Sequence, residues 1–356
     1  MTTTISSAVL ISFSVTALLM LLLRPVAFKL GFLDSPGGRK HHVGQIPLTG
    51  GAALFLGICA AVFIFQSADA SSMAYLVAGG LIVLVGLIDD RLELSPFLRL
   101  VAQFVAALIL VLGVNIMIWP VADQSLVLDF LIVFASIILI VAATNAFNML
   151  DGIDGLAAGT ASIAIIAILL LCNMNNAISV ILFPWIALAA IFGFLLFNLP
   201  FEFARPLRAF LGDSGSTLLG ITVVFAGLLP KSGVPNYDAV VVLMWCLAYP
   251  FSDLGHSVIR RLLKRRSPLY SDRGHYHYLL VEVGLSQPIV LSLLLGINIF
   301  LAAVGLILAK LQVPLATTAG LYVLAVLVLM VSFDFLRIHL SRINGKMSAS
   351  AATDEI

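Results

Sequence analysis

A polytopic all-α bundle embedded in a membrane is the fold this sequence predicts, and three observations carry that expectation. Hydrophobic residues fill 61% of the 356 positions and charged residues only 10%, whereas a water-soluble domain is nearer half apolar and a quarter charged. The apolar residues gather into eleven runs, each near the ~20 residues that cross ~30 Å of hydrocarbon. Lysine and arginine concentrate in alternate connections between those runs.

In chain order the predicted spans are 5–23, 48–66, 72–88, 97–114, 126–144, 156–172, 178–198, 214–229, 237–257, 288–309 and 315–336. The fourth and the sixth to eighth are shortish or interrupted by glycine, so the count is ten or eleven. Short connections predict one integral domain over 1–356, with a short polar tail at 338–356. The first run has no basic segment before it and no small-residue cleavage pattern after it, so it reads as a retained helix. Cys59, Cys172 and Cys246 lie in or beside apolar runs without metal-ligand spacing, as expected of small buried residues. A net charge of +1 lacks the basic footprint of a nucleic-acid-binding protein.

With eleven spans and the N-terminus outside, 17 of the 19 Lys and Arg residues fall in or within a turn of the inside segments. Lys231 and Lys310 are the two outside. This is the bias expected of cytoplasmic loops, and it puts four polar clusters on the cytoplasmic face.

The first cluster is Asp89-Asp90-Arg91-Leu92-Glu93. On a helix Asp89 and Glu93 share a face with Asp90 turned aside, and three carboxylates in five residues repel unless a cation joins them. A solvated helix end accounts for them equally well. The second, Asn145-Ala-Phe-Asn148-Met-Leu-Asp151-Gly-Ile-Asp154-Gly155, repeats amides and acids every three positions. Each step of three drifts ~60° on a straight helix, so Gly152 and Gly155 predict a turn that lets the four side chains converge. Carboxylate and amide oxygens are hard ligands suited to Mg²⁺ or Mn²⁺; a capping turn would explain only one or two of them.

The third cluster, Gly212-Asp213-Ser214-Gly215-Ser216-Thr217, opens the eighth span. Asp213 suits a metal, free N–H groups at the helix start suit a phosphate, and a plain N-cap is the simpler alternative. The fourth follows residues 237–266, whose 30 positions would make a helix of ~45 Å, with Pro250 as the expected point of a bend. Beyond its basic end, Arg273, His275 and His277 suit anion binding or proton handling. The basic run 260–266 reads as a topology and lipid-surface signal. Residues 36–51 form a Gly/Pro-rich basic loop containing Arg39 and His42. Together these are the parts for moving a phosphoryl group at a membrane edge.

Four ordered motifs, DDRLE, NAFNMLDGIDGL, FLGDSGSTLLG and SDRGHYHYLL, closely resemble the polyprenyl-phosphate N-acetylhexosamine-1-phosphate transferase family. They look most like its bacterial undecaprenyl-phosphate N-acetylglucosamine branch, over about Arg39 to Gly284. The resemblance implies transfer of an N-acetylamino-sugar 1-phosphate from a UDP-sugar to undecaprenyl phosphate, with Mg²⁺ or Mn²⁺ and release of UMP. It also implies a bundle of ten or eleven helices in the bacterial inner membrane and leaves a homodimer open. By motif position, Asn148 and Asp213 would hold the metal, with Asp151 beside it. Asp154 would contact the uracil, with Asn145 on the nucleotide side. Asp89 would deprotonate or orient the lipid phosphate, supported by Asp90, while Arg273, His275 and His277 would grip the diphosphate. Tyr278 replaces a third histidine common in this branch. The muramoyl-pentapeptide branch's run of consecutive histidines is absent, which argues against that donor. A competing class, an ion-coupled transporter, expects acids at mid-span and an internal repeat. Asp253 is the only acid well inside a predicted span, and no repeat is visible.

Overall fold

The computed structural model describes residues 2–34, 44–65, 69–120, 125–177, 182–200, 206–229, 234, 236–268 and 274–353. Its helices are α1 (Thr2–Leu30), α2 (Gly50–Phe65), α3 (Ala70–Leu92), α4 (Pro96–Val114), α5 (Leu126–Leu150), α6 (Leu156–Met174), α7 (Phe183–Asn198), α8 (Gly212–Gly227), α9 (Asn236–Cys246), α10 (Ala248–Leu263), α11 (Tyr276–Glu282), α12 (Gln287–Lys310) and α13 (Leu315–Thr353). A two-residue ribbon pairs β1 (Leu33–Asp34) antiparallel with β2 (Ile46–Pro47). Every predicted span coincides with a helix, the ninth with the α9–α10 pair.

Local chemistry explains where several helices start. Asp69, Ser95 and Ser125 each accept a backbone N–H from the first turn of α3, α4 and α5, satisfying a donor that a helix start leaves free. Pro96 follows Ser95 at a position where its missing N–H costs nothing.

Among the described residues, seven helices are long and apolar enough to cross a membrane, or eight if α9 and α10 form one bent span. The protein is therefore an all-α polytopic membrane protein. Helices α2, α7 and α8 have 16 residues each, ~24 Å of rise against ~30 Å of hydrocarbon.

One detail differs from the sequence reading. The chain breaks at Leu247, between α9 and α10, with a 54° bend, three residues before Pro250. Proline lacks an N–H and its ring collides with the carbonyl four residues back, here Cys246, so the helix yields upstream of the proline. Within the polar tail, α13 continues as helix to Thr353; no proline interrupts it, and its last turns are rich in alanine and serine.

Helix α8 is the axle of the bundle, packed by α2, α3, α5 and α6. Every residue of α8 except Asp213 is buried. Glycine permits this crowding. A Cβ on Gly86 of α3 would lie 2.3 Å from Ser214 Cα, and one on Gly51 of α2 would lie 2.4 Å from Gly215 N. Both obstacles are backbone, so the helices themselves would have to part.

Gly86→Ala is accordingly expected to destabilise the protein by about 1–3 kcal/mol through overpacking. Thermal unfolding in detergent checks this, and an unchanged midpoint would contradict the contact.

Candidate active site

The first acidic pair splits between two neighbours. Asp89 is buried; its carboxylate accepts the Leu94 N–H at 2.7 Å and the Arg99 guanidinium at 3.0 Å. Asp90 points the other way, into the start of α8. It accepts Asp213 N–H at 2.7 Å and Ser214 N–H at 3.4 Å, together with the Ser214 hydroxyl at 3.1 Å. The residue before α8, Leu211, supplies no side-chain cap, so an aspartate from another helix does that work.

This arrangement corrects two sequence expectations. Asp89 does not pair with Glu93, because Glu93 leaves the helix at φ 50° as an exposed C-cap. The first N–H groups of α8 are not free for a phosphate, since Asp90 already holds two of them.

Asp213 projects from that capped start. Arg99 lies 3.4 Å from its carboxylate, so one guanidinium bridges Asp89 and Asp213. From α5, Asn148 donates its amide to Asp213 at 2.8 Å and to Ser216 at 3.0 Å. The ends of α3, α4, α5 and α8 thus meet at one place.

The second motif turns as the glycines predict. Helix α5 ends at Leu150 and α6 begins at Leu156, with the Gly155 N–H held at 2.8 Å by Asn198 of α7. Three of its four polar side chains take separate partners rather than one. Asn145, a helical turn before Asn148, donates to Gln103 of α4 at 2.5 Å and to the Val141 carbonyl at 2.8 Å. Asp154 is buried and forms an ion pair with Arg208. Asp151 caps α5. Loss of hydration pushes its pKa well above the usual carboxylate range, and Asp213, Asp154, Asp90 and Asp34 push it further.

His277 approaches the same turn from α11. Its Nε2 would lie 1.9 Å from a Cβ built on Gly152, so only glycine fits there. Among the described residues neither ring nitrogen has a hydrogen-bond partner, and burial lowers the pKa of the ring to about 3. His275 stacks parallel to His277 with centroids 5.9 Å apart. Arg273, Arg39 and His42 lie outside the described residues.

The fit to a divalent cation rests on the donors. Five carboxylates influence one another around Asp151, which calls for positive charge. Asn148 and Asp213 are neighbours, the amide donating to the carboxylate at 2.8 Å, and each side chain carries a hard oxygen. Among the described residues no three His, Cys, Asp or Glu side chains form a ready-made cage. Magnesium does not need one, since it commonly takes one or two protein oxygens plus substrate phosphates. The residues present fit such an ion.

Sequence reasoning passed over Arg99, Arg208, Asn198 and Gln103. Arg99 and Gln103 sit one turn apart near the start of α4, a spacing that signals a shared polar face.

His277 also makes a pH prediction. An unfolded histidine protonates near 6.5, whereas His277 stays neutral in the fold down to about 3, so its contribution to stability falls as pH drops through that window. Asp151, raised in the fold, acts oppositely and loses its contribution as pH rises above 3.8. His277→Gln should therefore lose less thermal stability than the parent between about pH 7 and 5. Equal losses would mean that the ring is charged in the fold.

Residues 72–230 match the family model described as glycosyl transferase family 4. A protein of Salmonella typhi, the undecaprenyl-phosphate alpha-N-acetylglucosaminyl 1-phosphate transferase, is 34% identical over 300 residues, covering 82% of this chain and 81% of its own. Proteins of the same name are 31% identical in Escherichia coli strain K12, over 85% of this chain and 84% of theirs, and 31% identical in Yersinia pestis, over 91% and 90%. With four helix ends assembled into one acidic, arginine-bridged site and such similarity along most of its length, the chain belongs to glycosyl transferase family 4.

Proposed function

We propose that this protein transfers N-acetylglucosamine 1-phosphate from its UDP donor to undecaprenyl phosphate, releasing UMP and leaving the sugar on a lipid diphosphate. The observation that carries the reading is the junction of Asp89, Arg99, Asn148 and Asp213 at the ends of four apolar helices. A soluble donor and a lipid acceptor can both reach such a boundary. The names of relatives aligned over 82% to 91% of the chain support it. Asp253, the acid expected to mark an ion path, is committed to His275 and to a backbone N–H, so the transporter reading finds no support there.

In the proposed reaction an oxygen of the lipid phosphate attacks the donor β-phosphorus in line. A new P–O bond forms as the bond to the UMP oxygen breaks. The second ionisation of a phosphate monoester lies near pH 6, so the nucleophile is already largely charged. Asp89 then serves mainly to orient it, its own carboxylate steadied by Leu94 N–H and Arg99. Asn148 and Asp213 are the residues that would hold Mg²⁺ or Mn²⁺, which would supply charge neutralisation. Asp151 stands beside that pair, and Asp90 fixes Asp213 by capping α8. Asp154 and Asn145 take the nucleotide side, while Arg273, His275 and His277 grip the diphosphate.

The same reading places eleven spans in a bacterial inner membrane, with the N-terminus outside and the active site facing the cytoplasm. It makes the reaction the first membrane step of surface-polysaccharide synthesis and leaves room for a homodimer. A galacto-configured or 6-deoxy UDP-amino sugar is the second choice of donor.

Several UDP-amino sugars presented with undecaprenyl phosphate to the purified protein test the assignment through UMP release. N-acetylglucosamine is expected to be the best donor, and no release with any sugar would overturn the function. Asp213→Asn should cut the rate by about 100-fold or more while membrane insertion stays normal. Stoichiometric UMP release from the donor alone would replace direct attack by a covalent enzyme intermediate.

A further inference from the structure

Asp253 is a buried carboxylate for which the reaction above has no use. It lies in α10 with no exposed surface, and an acid taken out of water needs full pairing. Its two oxygens divide the work. Oδ2 is 3.0 Å from His275 Nδ1, and Oδ1 accepts the Tyr276 N–H at 3.0 Å. One turn along α10, Ser257 Oγ stands 3.2 Å from the same Nδ1. Thus the acid fixes both the imidazole and the first residue of α11, a helix whose N-cap offers no side-chain bond.

The consequence is a choice between ring nitrogens. A carboxylate accepts and does not donate, so Nδ1 must carry a proton toward Asp253. Nε2 has no hydrogen-bond partner among the described residues, and the parallel stack with His277 sets the plane in which it points. A ring held in this way offers Nε2 alone to an anion. Protonated there, it donates to a phosphate oxygen while the Nδ1 bond remains intact. Carboxylates behind histidines commonly set the tautomer in this manner.

We propose that Asp253 is a positioning residue that acts through His275, holding the proton on Nδ1 and turning Nε2 toward the donor diphosphate. This rests on the reading in which His275 contacts that diphosphate. Ser257 serves as the second support of the same nitrogen.

The test is a double-mutant cycle on the full-length protein, with UDP-N-acetylglucosamine, undecaprenyl phosphate and Mg²⁺, alongside ¹⁵N spectra of histidine-labelled enzyme. Asp253→Asn keeps an acceptor for the Tyr276 N–H but presents an amide to the ring. It should lower kcat/KM on the order of 10–100-fold and move His275 to the Nε2–H tautomer. In a His275→Gln background the same change should cost less than about two-fold, because residues acting as one unit are non-additive. Equal losses in both backgrounds, or an unmoved tautomer, would overturn the proposal and leave Asp253 a packing residue. Full activity of His275→Gln alone would instead overturn the diphosphate role of His275, and the proposal with it. Should Asp253→Asn fail to fold, Ser257→Ala leaves the cap of α11 untouched. It is expected to cost a smaller, several-fold loss that vanishes in the His275→Gln background, and persistence of that loss would count against the idea.

Discussion

The carboxylate of Asp90, on α3, holds the first N–H groups of α8, and most of the site depends on that bond. Burying an acid at the edge of hydrocarbon is costly. Here the cost is offset by two backbone donors, a serine hydroxyl and the positive end of the helix dipole. The glycine contact between Gly86 and Ser214 lets the two helices come close enough for the bond. Since all of α8 except Asp213 is buried, Asp90 decides where the one accessible side chain of that helix stands. An acid read from the sequence as the support of Asp89 also caps the neighbouring helix.

Charge is handled by the same economy of few cations for many acids. Arg99 bridges Asp89 and Asp213, and Arg208 pairs with Asp154 while stacking over Phe210. That leaves Asp151 among like charges. An imbalance of this kind favours a divalent ion, whose charge would act on acids already in place rather than gather them. The phosphates of a nucleotide donor would complete its ligands.

Most of the described candidate side chains lie at a helix end. Asp89 and Asp90 end α3, Asn148 and Asp151 end α5, Asp213 begins α8, and His275 and His277 begin α11. In the middle of a membrane helix the backbone satisfies itself and polar side chains are expensive. At a terminus, unpaired backbone groups need partners, so polar side chains serve structure and chemistry together. Asn198 shows the structural half alone: it holds the Gly155 N–H with one end and the Ala209 carbonyl with the other.

The sequence by itself determined the class of protein, the place of the apolar spans and the identity of the polar clusters, because hydropathy and motif spacing are local properties of the chain. It also foretold the turn after α5, since Gly152 and Gly155 interrupt an otherwise helical pattern. Partnerships were decided only by the tertiary structure. Glu93 leaves Asp89 because the helix ends beneath it, Asp90 reaches 123 residues along the chain to cap α8, and Asn145 faces Gln103 instead of the Asp151–Asp154 turn. The break falls at Leu247 rather than at Pro250 because a proline ring collides with the carbonyl four residues before it, that of Cys246. Which donor meets which acceptor depends on how separate helices pack, and no spacing within one segment encodes that.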